Sequence, residues 1–226
     1  MKPVFFVTGT DTDAGKTLVT TALLCACKEK QLKALGMKPV AAGGSAGGSV
    51  NEDALSLQRY SSSRLACDQV NPFFFAPAIA PHIAADQSGV PLDASRVIEK
   101  CRAFMDLDSD VIFIEGAGGW RVPLNETENF SDVVKGIGCE VILVVGLKLG
   151  CLNHAILTAE AIASDGLKLA GWVGSVCSGE PMRAFSENVA TLKARMPCDC
   201  LGVIPFIDSP APECVAKDYI SLPFVT

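Results

Sequence analysis

The sequence feature that most limits the possible folds is a glycine-lysine-threonine loop placed between an apolar strand and a helical stretch. Residues 3–7 are apolar, residues 8–17 read T-G-T-D-T-D-A-G-K-T, and a largely apolar run follows. In such a turn, successive backbone N–H groups and the positive end of the helix dipole converge on an anion. Lys16 is then placed to reach the outer phosphates, and the Thr17 hydroxyl is placed to ligate Mg²⁺. The stretch therefore predicts a phosphate-binding loop that opens an α/β unit.

The spacing of this loop differs by one residue from the usual G-x-x-x-x-G-K-[ST] pattern. Gly9 precedes Gly15 by six residues, and Thr10 stands where the pattern has its first glycine. The alternative is an ordinary strand–loop–helix turn in which glycine and lysine occur by chance. The strand before the loop and the helix after it favour phosphate binding, because the structural context of this motif is better evidence than its residue pattern alone.

Composition and charge limit the classes of partner. The chain has 226 residues, of which 49% are hydrophobic, so it can bury a sizeable core. No apolar run reaches the roughly 18 residues of a membrane span, and no basic segment with an apolar stretch marks export. The net charge of −6 and the lack of a basic tract disfavour nucleic acid as the main partner. We therefore expect a cytoplasmic protein that acts on neither nucleic acid nor a membrane.

Most of the ten cysteines stand in apolar helix or strand settings, and we expect these to be reduced thiols that are buried like small hydrophobes. They include Cys25, Cys27, Cys101, Cys139, Cys151 and Cys177. Two C-x-C pairs, Cys25 with Cys27 and Cys198 with Cys200, raise the alternative of a metal site. Residues two apart on a helix point about 200° apart around its axis, so Cys25 and Cys27 do not readily share an ion. Zinc pairs usually have two to four intervening residues, which also argues against structural zinc.

Apolar strands alternate with helical stretches along the chain. Continuous apolar runs such as residues 110–115 and 141–145 are typical of parallel strands that are buried on both faces. The alternation predicts one α/β domain over residues 1–226, a doubly wound, mostly parallel sheet with helices on both faces. Ligands of such sheets bind at the carboxyl ends of the strands. The predicted strands are 3–7, 34–40, 110–115, 141–145, 169–173 and 201–205, and the predicted helices are 18–30, 52–60 with Asn51 as its cap, 94–105 with Asp93 as its cap, 153–164 and 182–195.

Two stretches are predicted to lack regular structure. Residues 42–49 contain four glycines, which predicts a mobile loop, either a linker or a flap over a ligand. Residues 71–82 are apolar and interrupted by prolines, which predicts an irregular segment packed on the core.

Two carboxylates and one hydroxyl are candidates for a magnesium site. Glu115 ends a buried apolar strand and enters a glycine-rich turn, a position that does not suit a solvated surface group. Asp53 opens a helix after the glycine-rich loop, where a helix-capping charge is an equal alternative. With the Thr17 hydroxyl and phosphate oxygens, these groups would supply the few hard oxygen ligands that Mg²⁺ prefers.

Lys38 is expected at the end of the second strand, on the same sheet edge as the phosphate-binding loop. A lysine there can neutralise charge on a transferred phosphoryl group, whereas the alternative is an exposed lysine at a strand end. His82 and His154 are the only histidines, and we assign a structural role to both rather than proton transfer.

Five stretches, in order and at similar distances, resemble the dethiobiotin synthetase family. They are residues 9–17, M-K-P-V at 37–40, E-G-A-G-G-W at 115–120, V-V-G-L-K-L-G-C-L-N-H at 144–154 and L-A-G-W-V at 169–173. The phosphate-binding loop alone indicates only a nucleotide, whereas the glycine–tryptophan and lysine–glycine–asparagine–histidine stretches are much more specific. Together they span most of the chain.

The resemblance implies that 7,8-diaminononanoate, CO₂ (or bicarbonate) and ATP give dethiobiotin, ADP and phosphate, with Mg²⁺ as the cofactor. One amine captures CO₂ as a carbamate, whose oxygen attacks the γ-phosphate to give a carbamic–phosphoric mixed anhydride. The second amine then closes the cyclic urea and expels phosphate. This chemistry needs positioning and charge neutralisation more than a covalent nucleophile.

The resemblance also implies roles for individual residues. The implied catalytic residues are Lys16, Lys38 and Thr12, and the implied Mg²⁺ ligands are Thr17, Asp53 and Glu115. The implied nucleotide-binding residues are Asp13, Ala14, Gly15, Lys16, Thr17, Leu18, Asp53, Glu115, Gly116, Ala117, Gly118, Ser175, Val176, Pro205, Phe206 and Ile207. The implied substrate-binding residues are Ala42 together with Gly150, Cys151, Leu152 and Asn153, the last four supplied by the partner subunit of a homodimer.

The chain departs from the family pattern at three places. Ala42 stands where the family commonly has serine or threonine, which removes a hydroxyl contact with the substrate. Ser175 and Val176 replace an asparagine–aspartate pair that reads adenine, so we expect a relaxed preference among nucleotides. Residues 205–207 match the base-binding loop only loosely.

Two other classes of protein are alternatives. ParA- and MinD-like switch ATPases carry a second lysine early in the phosphate-binding loop, and residues 9–12 supply none. The synthetase half of a cobyrinate-type amidotransferase requires a glutaminase domain, for which this length leaves no room. A switch would hydrolyse ATP without diaminononanoate, whereas the ligase should need both this diamine and bicarbonate.

Overall fold

The computed structural model describes residues 2–44, 50–180 and 182–224. Eight strands and nine helices lie in these residues. The strands are β1 (Val4–Gly9), β2 (Ala34–Met37), β3 (Val40–Ala42), β4 (Phe73–Phe75), β5 (Val111–Glu115), β6 (Glu140–Gly146), β7 (Leu169–Ser175) and β8 (Cys200–Ile204). The helices are α1 (Lys16–Glu29), α2 (Glu52–Tyr60), α3 (Cys67–Val70), α4 (Pro81–Gln87), α5 (Ala94–Met105), α6 (Phe130–Ile137), α7 (Cys151–Ser164), α8 (Phe185–Arg195) and α9 (Pro212–Tyr219).

Six of the strands form one parallel sheet in the order β2-β5-β1-β6-β7-β8. Every residue of β5, and every residue of β6 after the first, is buried, as expected for strands that are covered on both faces. The helices lie on both sides of the sheet, so the predicted fold class, a mostly parallel doubly wound sheet, is confirmed.

The register of the central strands decides which loops meet. Val7 of β1 pairs with Glu115 of β5, and Gly9 of β1 pairs with Val144 of β6. The three strands therefore end at nearly the same level. The phosphate-binding loop, Glu115 and residues 147–150 all leave the sheet at this carboxyl edge.

Aromatic side chains fill the core below this edge. The Phe6 ring meets Trp120 edge-on at 6.3 Å between centroids and Phe130 at 5.5 Å, so β1 is packed against the residues after β5 and against α6. Trp172 of β7 is fully buried in a second apolar cluster with the face of α7 that contains Ala155.

The prediction of one strand over residues 34–40 is wrong. The chain leaves the six-stranded sheet after β2, and β3 instead pairs in parallel with β4 in a separate two-stranded sheet. Pro39 lacks an N–H to donate to a neighbouring strand, and the N–H of Lys38 donates to the carbonyl of Val70 rather than to β5. Residues 71–82 are consequently not irregular throughout, because they contain β4 and the start of α4.

The two predicted helix caps are confirmed. The Asn51 Oδ1 accepts a hydrogen bond from the Ala54 N–H at 3.2 Å, at the start of α2. The Asp93 Oδ1 accepts one from the Arg96 N–H at 2.9 Å, at the start of α5. These bonds satisfy donors that have no partner within the first helical turn.

Other helix boundaries differ from the predictions. Helix α7 begins at Cys151 instead of residue 153, and α8 begins at Phe185 instead of residue 182. Helices α3, α4, α6 and α9 were not predicted. The start of α6 does carry a readable capping signal, because the Asn129 N–H donates to the Asp132 carboxylate at 2.8 Å. Most of the glycine-rich stretch, residues 45–49, lies outside the described residues. Among the described helices, none is both long and apolar enough to cross a membrane.

All ten cysteines lie in described residues and are free thiols. Burial is observed for Cys25, Cys27, Cys101, Cys139 and Cys151. The expectation is wrong for Cys177, which is exposed at the carboxyl edge because the chain turns outward after β7.

Candidate functional site

The phosphate-binding loop is held by backbone conformation and by β6. Gly15 caps α1 with φ 89°, and a Cβ there would lie 2.6 Å from the Ser175 hydroxyl oxygen, so only glycine fits. The Thr10 N–H donates to the Val144 carbonyl at 2.9 Å, and the Thr10 hydroxyl accepts from the Gly146 N–H at 3.2 Å. Thr10, at the position where the pattern has glycine, thus ties the loop to the neighbouring strand.

Lys16 lies over its own loop. Its side chain is buried, and Nζ donates to the Asp11 carbonyl at 2.9 Å. Burial lowers the pKa of the Lys16 ammonium more than the nearby Glu115 carboxylate raises it. A buried ammonium with a lowered pKa gains stability from an anionic ligand, which suits a lysine that binds phosphate.

Lys38 and Glu115 form a buried ion pair at the end of β5. Lys38 Nζ lies 2.6 Å from Glu115 Oε1 and 2.7 Å from Asp53 Oδ2, and the Glu115 side chain is 0% exposed. The same Oε1 accepts a hydrogen bond from the Thr17 hydroxyl at 2.8 Å. These contacts bring the residue after β2, the starts of α1 and α2 and the end of β5 together around one carboxylate.

The charges of this group are mutually stabilised. Burial by itself lowers the pKa of the Lys38 ammonium, but the charges of Glu115 and Asp53 outweigh it and hold this pKa above its usual range. Burial by itself raises the pKa of the Asp53 carboxyl, but the Lys38 charge and its hydrogen bond outweigh it and hold this pKa low. Lys38 and Asp53 are therefore both charged at neutral pH.

The oxygen atoms around Glu115 fit a magnesium ion. Glu115 Oε2 is buried and has no hydrogen-bond partner among the described residues. A buried carboxylate oxygen without a partner is costly, and a cation removes this cost. The Asp53 carboxylate and the Thr17 hydroxyl lie on the same Lys38–Glu115 group, so the three predicted ligands form a set of hard oxygens.

A cavity of about 420 Å³ opens above these groups. It brings together the following predicted site residues: Thr12, Asp13, Gly15, Lys16, Thr17, Leu18, Lys38, Ala42, Asp53, Glu115, Ala117 and Gly118. Ala41, Asn51 and Cys177 also line it and were not predicted. Asn51 was identified only as a helix cap, and no local pattern marks Ala41 or Cys177.

The glycine-rich loop after β5 lies flat against the phosphate-binding loop. A Cβ on Gly116 would lie 2.7 Å from the Phe6 ring, and Gly118 has φ +60°, so both positions favour glycine. The loop ends at Trp120, whose indole N–H donates to the Asp165 carboxylate at 2.8 Å beyond the end of α7. This anchor at Asp165 was missed, because the two residues are 45 positions apart in the sequence.

The predicted base-binding residues lie at the ends of β7 and β8, outside the cavity lining. Ser175 and Val176 are buried, and the Ser175 hydroxyl lies 3.6 Å from the Cys177 sulfur. Pro205, Phe206 and Ile207 follow β8, and Phe206 is 47% exposed. The Phe206 ring approaches Gly179, since a Cβ at Gly179 would lie 3.6 Å from it.

The predicted substrate-binding residues 150–153 lie at the start of α7, apart from the cavity of their own chain. Gly150 caps this helix with φ 98°, and the preceding Leu149 is 92% exposed. Lys148 forms an ion pair of 2.7 Å with Asp11, which connects this turn to the phosphate-binding loop. The pKa of the Asp11 carboxyl is lowered by its hydrogen bond from Lys148.

A strand, a glycine-lysine-threonine loop and a helix, with a carboxylate at the end of the adjacent strand, define a P-loop nucleotide-binding protein. A family model described as an AAA domain matches residues 4–213. The ATP-dependent dethiobiotin synthetase of Pseudomonas aeruginosa (strain UCBPP-PA14) is 50% identical over 216 residues, which cover 95% of this chain and 94% of that relative. The chain belongs to the dethiobiotin synthetase family, as its motifs predict.

Solved structures with low sequence identity show the same fold. The septum site-determining protein MinD of Pyrococcus horikoshii OT3, complexed with Mg-ADP, has a TM-score of 0.55 at 17% identity, over 91% of this chain and 82% of that chain. Chloroplast FtsY of Physcomitrella patens has a TM-score of 0.54 at 17% identity, over 98% of this chain, which spans only 62% of FtsY. At such identities the likeness concerns the fold alone.

Proposed function

We propose that this chain is an ATP-dependent dethiobiotin synthetase that closes the ureido ring of dethiobiotin from 7,8-diaminononanoate, CO₂ and ATP. The observation that carries the proposal is the second buried lysine, Lys38, which lies 2.6 Å from Glu115 beside the phosphate-binding loop. Two ammonium groups on one cavity suit a reaction in which a carbamate and a triphosphate, both anionic, must meet. The 50% identity to an enzyme of that name supports the same conclusion.

The proposed reaction has three steps. One substrate amine adds to CO₂ and loses a proton, which gives a carbamate. A carbamate oxygen attacks the γ-phosphorus, the bond to the bridging oxygen breaks, and ADP leaves with the electron pair. The second amine attacks the carbonyl carbon of the mixed anhydride and loses a proton, and phosphate leaves as the cyclic urea forms.

The residues of the chain bind and orient these groups. Lys16 and the backbone of the phosphate-binding loop hold the β- and γ-phosphates. Lys38 neutralises charge on the carbamate and on the phosphoryl group in transfer, and Thr12 lines the same cavity. Thr17, Asp53 and Glu115 would hold Mg²⁺, which supplies charge neutralisation at the phosphates when it is bound.

The substrate site is completed by a second copy of the chain. Ala42 lines the cavity, whereas residues 150–153 start α7 outside the lining of their own chain. We propose that the protein is a cytoplasmic homodimer. In it, the Asn153 side chain and the backbone of residues 150–152 bind the carboxylate of the substrate that occupies the partner subunit's cavity. The backbone N–H groups at the start of α7 favour a carboxylate.

Phosphate release by the purified protein tests the proposal. We expect release to require diaminononanoate, bicarbonate and Mg²⁺ together, and mass spectrometry to detect dethiobiotin in proportion to ADP. ATP hydrolysis that continues unchanged without the diamine would instead indicate a switch ATPase. Hydrolysis coupled to the diamine without dethiobiotin as the product would indicate a different ligase reaction.

A further inference from the structure

Lys38 lies between the end of β2 and the start of β3 and belongs to neither sheet. Lys38 is 5% exposed, so both of its backbone polar groups need partners inside the protein. Its N–H donates to the Val70 carbonyl at 2.9 Å, and its carbonyl accepts from the Asn71 side-chain amide at 2.8 Å. The residues at the end of α3 therefore supply the hydrogen bonds to the Lys38 N–H and carbonyl that a neighbouring strand would otherwise make.

Asn71 is itself held firmly. Its own N–H donates to the Cys67 carbonyl at 2.8 Å, and its side-chain amide also reaches the Phe73 carbonyl at 3.3 Å. The Phe73 N–H donates in turn to the Pro39 carbonyl at 3.1 Å. Because both partners of the side-chain amide are carbonyl oxygens, its NH₂ group must face them, which settles the orientation of the amide.

We infer that Asn71 is a positioning residue for the reaction: by fixing the Lys38 carbonyl, its amide directs the Lys38 ammonium to the phosphoryl group. The inference rests on the proposed role of Lys38. A lysine side chain has four rotatable bonds, and its starting point is the backbone that Asn71 holds. A peptide that rotates at Lys38 moves Nζ away from Glu115 and Asp53, and a displacement near 1 Å can cost about 100-fold in rate.

The alternative is that Asn71 only ties α3 to the rest of the fold. The two roles differ in what they change. A purely structural Asn71 would affect stability and leave turnover of the folded molecules intact. A positioning residue would lower kcat and leave nucleotide affinity intact, because Asn71 lies outside the lining of the cavity that Lys16 and its loop form.

The experiment compares Asn71→Ala and Asn71→Asp with the wild-type protein. The aspartate has the same shape but, when ionised, cannot donate to a carbonyl. Asn125→Ala is a matched control, because the Asn125 amide also holds a loop, through the Leu92 carbonyl at 3.2 Å and Glu128 at 2.6 Å, away from the cavity. We would measure dethiobiotin formation per nucleotide-binding site, the Kd for nucleotide and thermal unfolding.

We expect both Asn71 variants to lose 10- to 100-fold in kcat, with nucleotide Kd within about twofold of wild type. Asn125→Ala should keep its kcat while unfolding at a lower temperature. Wild-type kcat in folded Asn71→Ala would overturn the inference, as would a loss in that variant no larger than that of Asn125→Ala. Counting turnover per nucleotide-binding site excludes unfolded molecules from each value. A wild-type protein that makes no dethiobiotin would instead contradict the proposed function.

Discussion

At the scale of single residues, Glu115 is the acceptor that connects two other charged or polar groups of the site, Lys38 and Thr17. This carboxylate is wholly buried, and one of its oxygens meets both Lys38 Nζ at 2.6 Å and the Thr17 hydroxyl at 2.8 Å. A buried charge is stable only when it is paired and hydrogen-bonded. The group that we propose for phosphoryl transfer is therefore also a group on which folding depends.

Replacing Lys38 with methionine should abolish turnover and also destabilise the protein. The change leaves Glu115 buried without its ammonium partner, which costs about 3 kcal/mol in the free energy of unfolding measured without Mg²⁺. Chemical denaturation and dethiobiotin formation check the two effects. Adding Glu115→Gln to Lys38→Met should restore much of the stability but none of the activity. Near-normal kcat in Lys38→Met would remove this lysine from the mechanism.

Ser175 should weaken the discrimination among nucleotides. Its hydroxyl is buried against Gly15 and Cys177, and it lacks the amide that would read an adenine edge. We expect CTP or GTP to support dethiobiotin formation with kcat/KM within roughly tenfold of the ATP value, because the amide that would discriminate between the bases is missing. Nucleotide competition with the purified protein measures this ratio. Strict dependence on ATP would refute the expectation.

At the scale of secondary-structure elements, two connections that are distant in sequence hold the edge of the site. The glycine-rich loop after β5 is anchored to the end of α7, where the Asp165 carboxylate accepts from Trp120 at 2.8 Å and pairs with Arg121 at 2.8 Å. The turn between β2 and β3 is anchored to the end of α3. In each case a loop that carries site residues gains its position from a helix end rather than from its own sequence.

Removing the Asp165 carboxylate should destabilise the loop after β5. In Asp165→Ala the buried indole N–H of Trp120 loses its acceptor, which costs about 1–3 kcal/mol in the free energy of unfolding. Asp108→Asn is a control, because within the described part of the chain the exposed Lys33 is the ion-pair partner of Asp108, and this change should leave stability nearly unaltered. Urea denaturation compares the variants. Equal stabilities for both variants would show that the Trp120 contact contributes nothing.

At the scale of the whole molecule, the carboxyl edge of the sheet carries two separate groups of predicted site residues. One group lines the cavity around Lys16, Lys38 and Glu115, and the other, residues 150–153, begins α7 outside it. The exposed Leu149 and Leu157 lie on the same part of the surface. The homodimer that we propose would join the two groups across an interface.

Mixing two inactive variants tests the shared site. Asn153→Ala should lose substrate binding, and Lys38→Met should lose catalysis, while each retains the other group of residues. Random exchange in an equal mixture makes half of the dimers hybrid, each with one complete site, so activity should return to about a quarter of the wild-type value. Sedimentation analysis checks that dimers form. An inactive mixture of exchanged dimers would place both groups of residues in the same subunit.

The sequence determined the fold class and the family, because both depend on local patterns. Continuous apolar runs identify buried parallel strands, and the glycine-lysine-threonine loop between strand and helix identifies the phosphate site without reference to other segments. Caps such as Asn51 and Asp93 are equally local, which explains why their helices were predicted correctly.

Only the tertiary structure decided how Lys38 is placed. The mostly apolar stretch from residue 34 to residue 40 predicts one strand, yet the chain changes sheets at Pro39 because α3 and Asn71 satisfy the backbone of Lys38. The hydrogen bond from Trp120 to Asp165 and the exposure of Cys177 could likewise not be predicted from the sequence. Each depends on residues far apart in sequence, and hydrogen bonding and burial at such distances leave no periodic pattern in the chain.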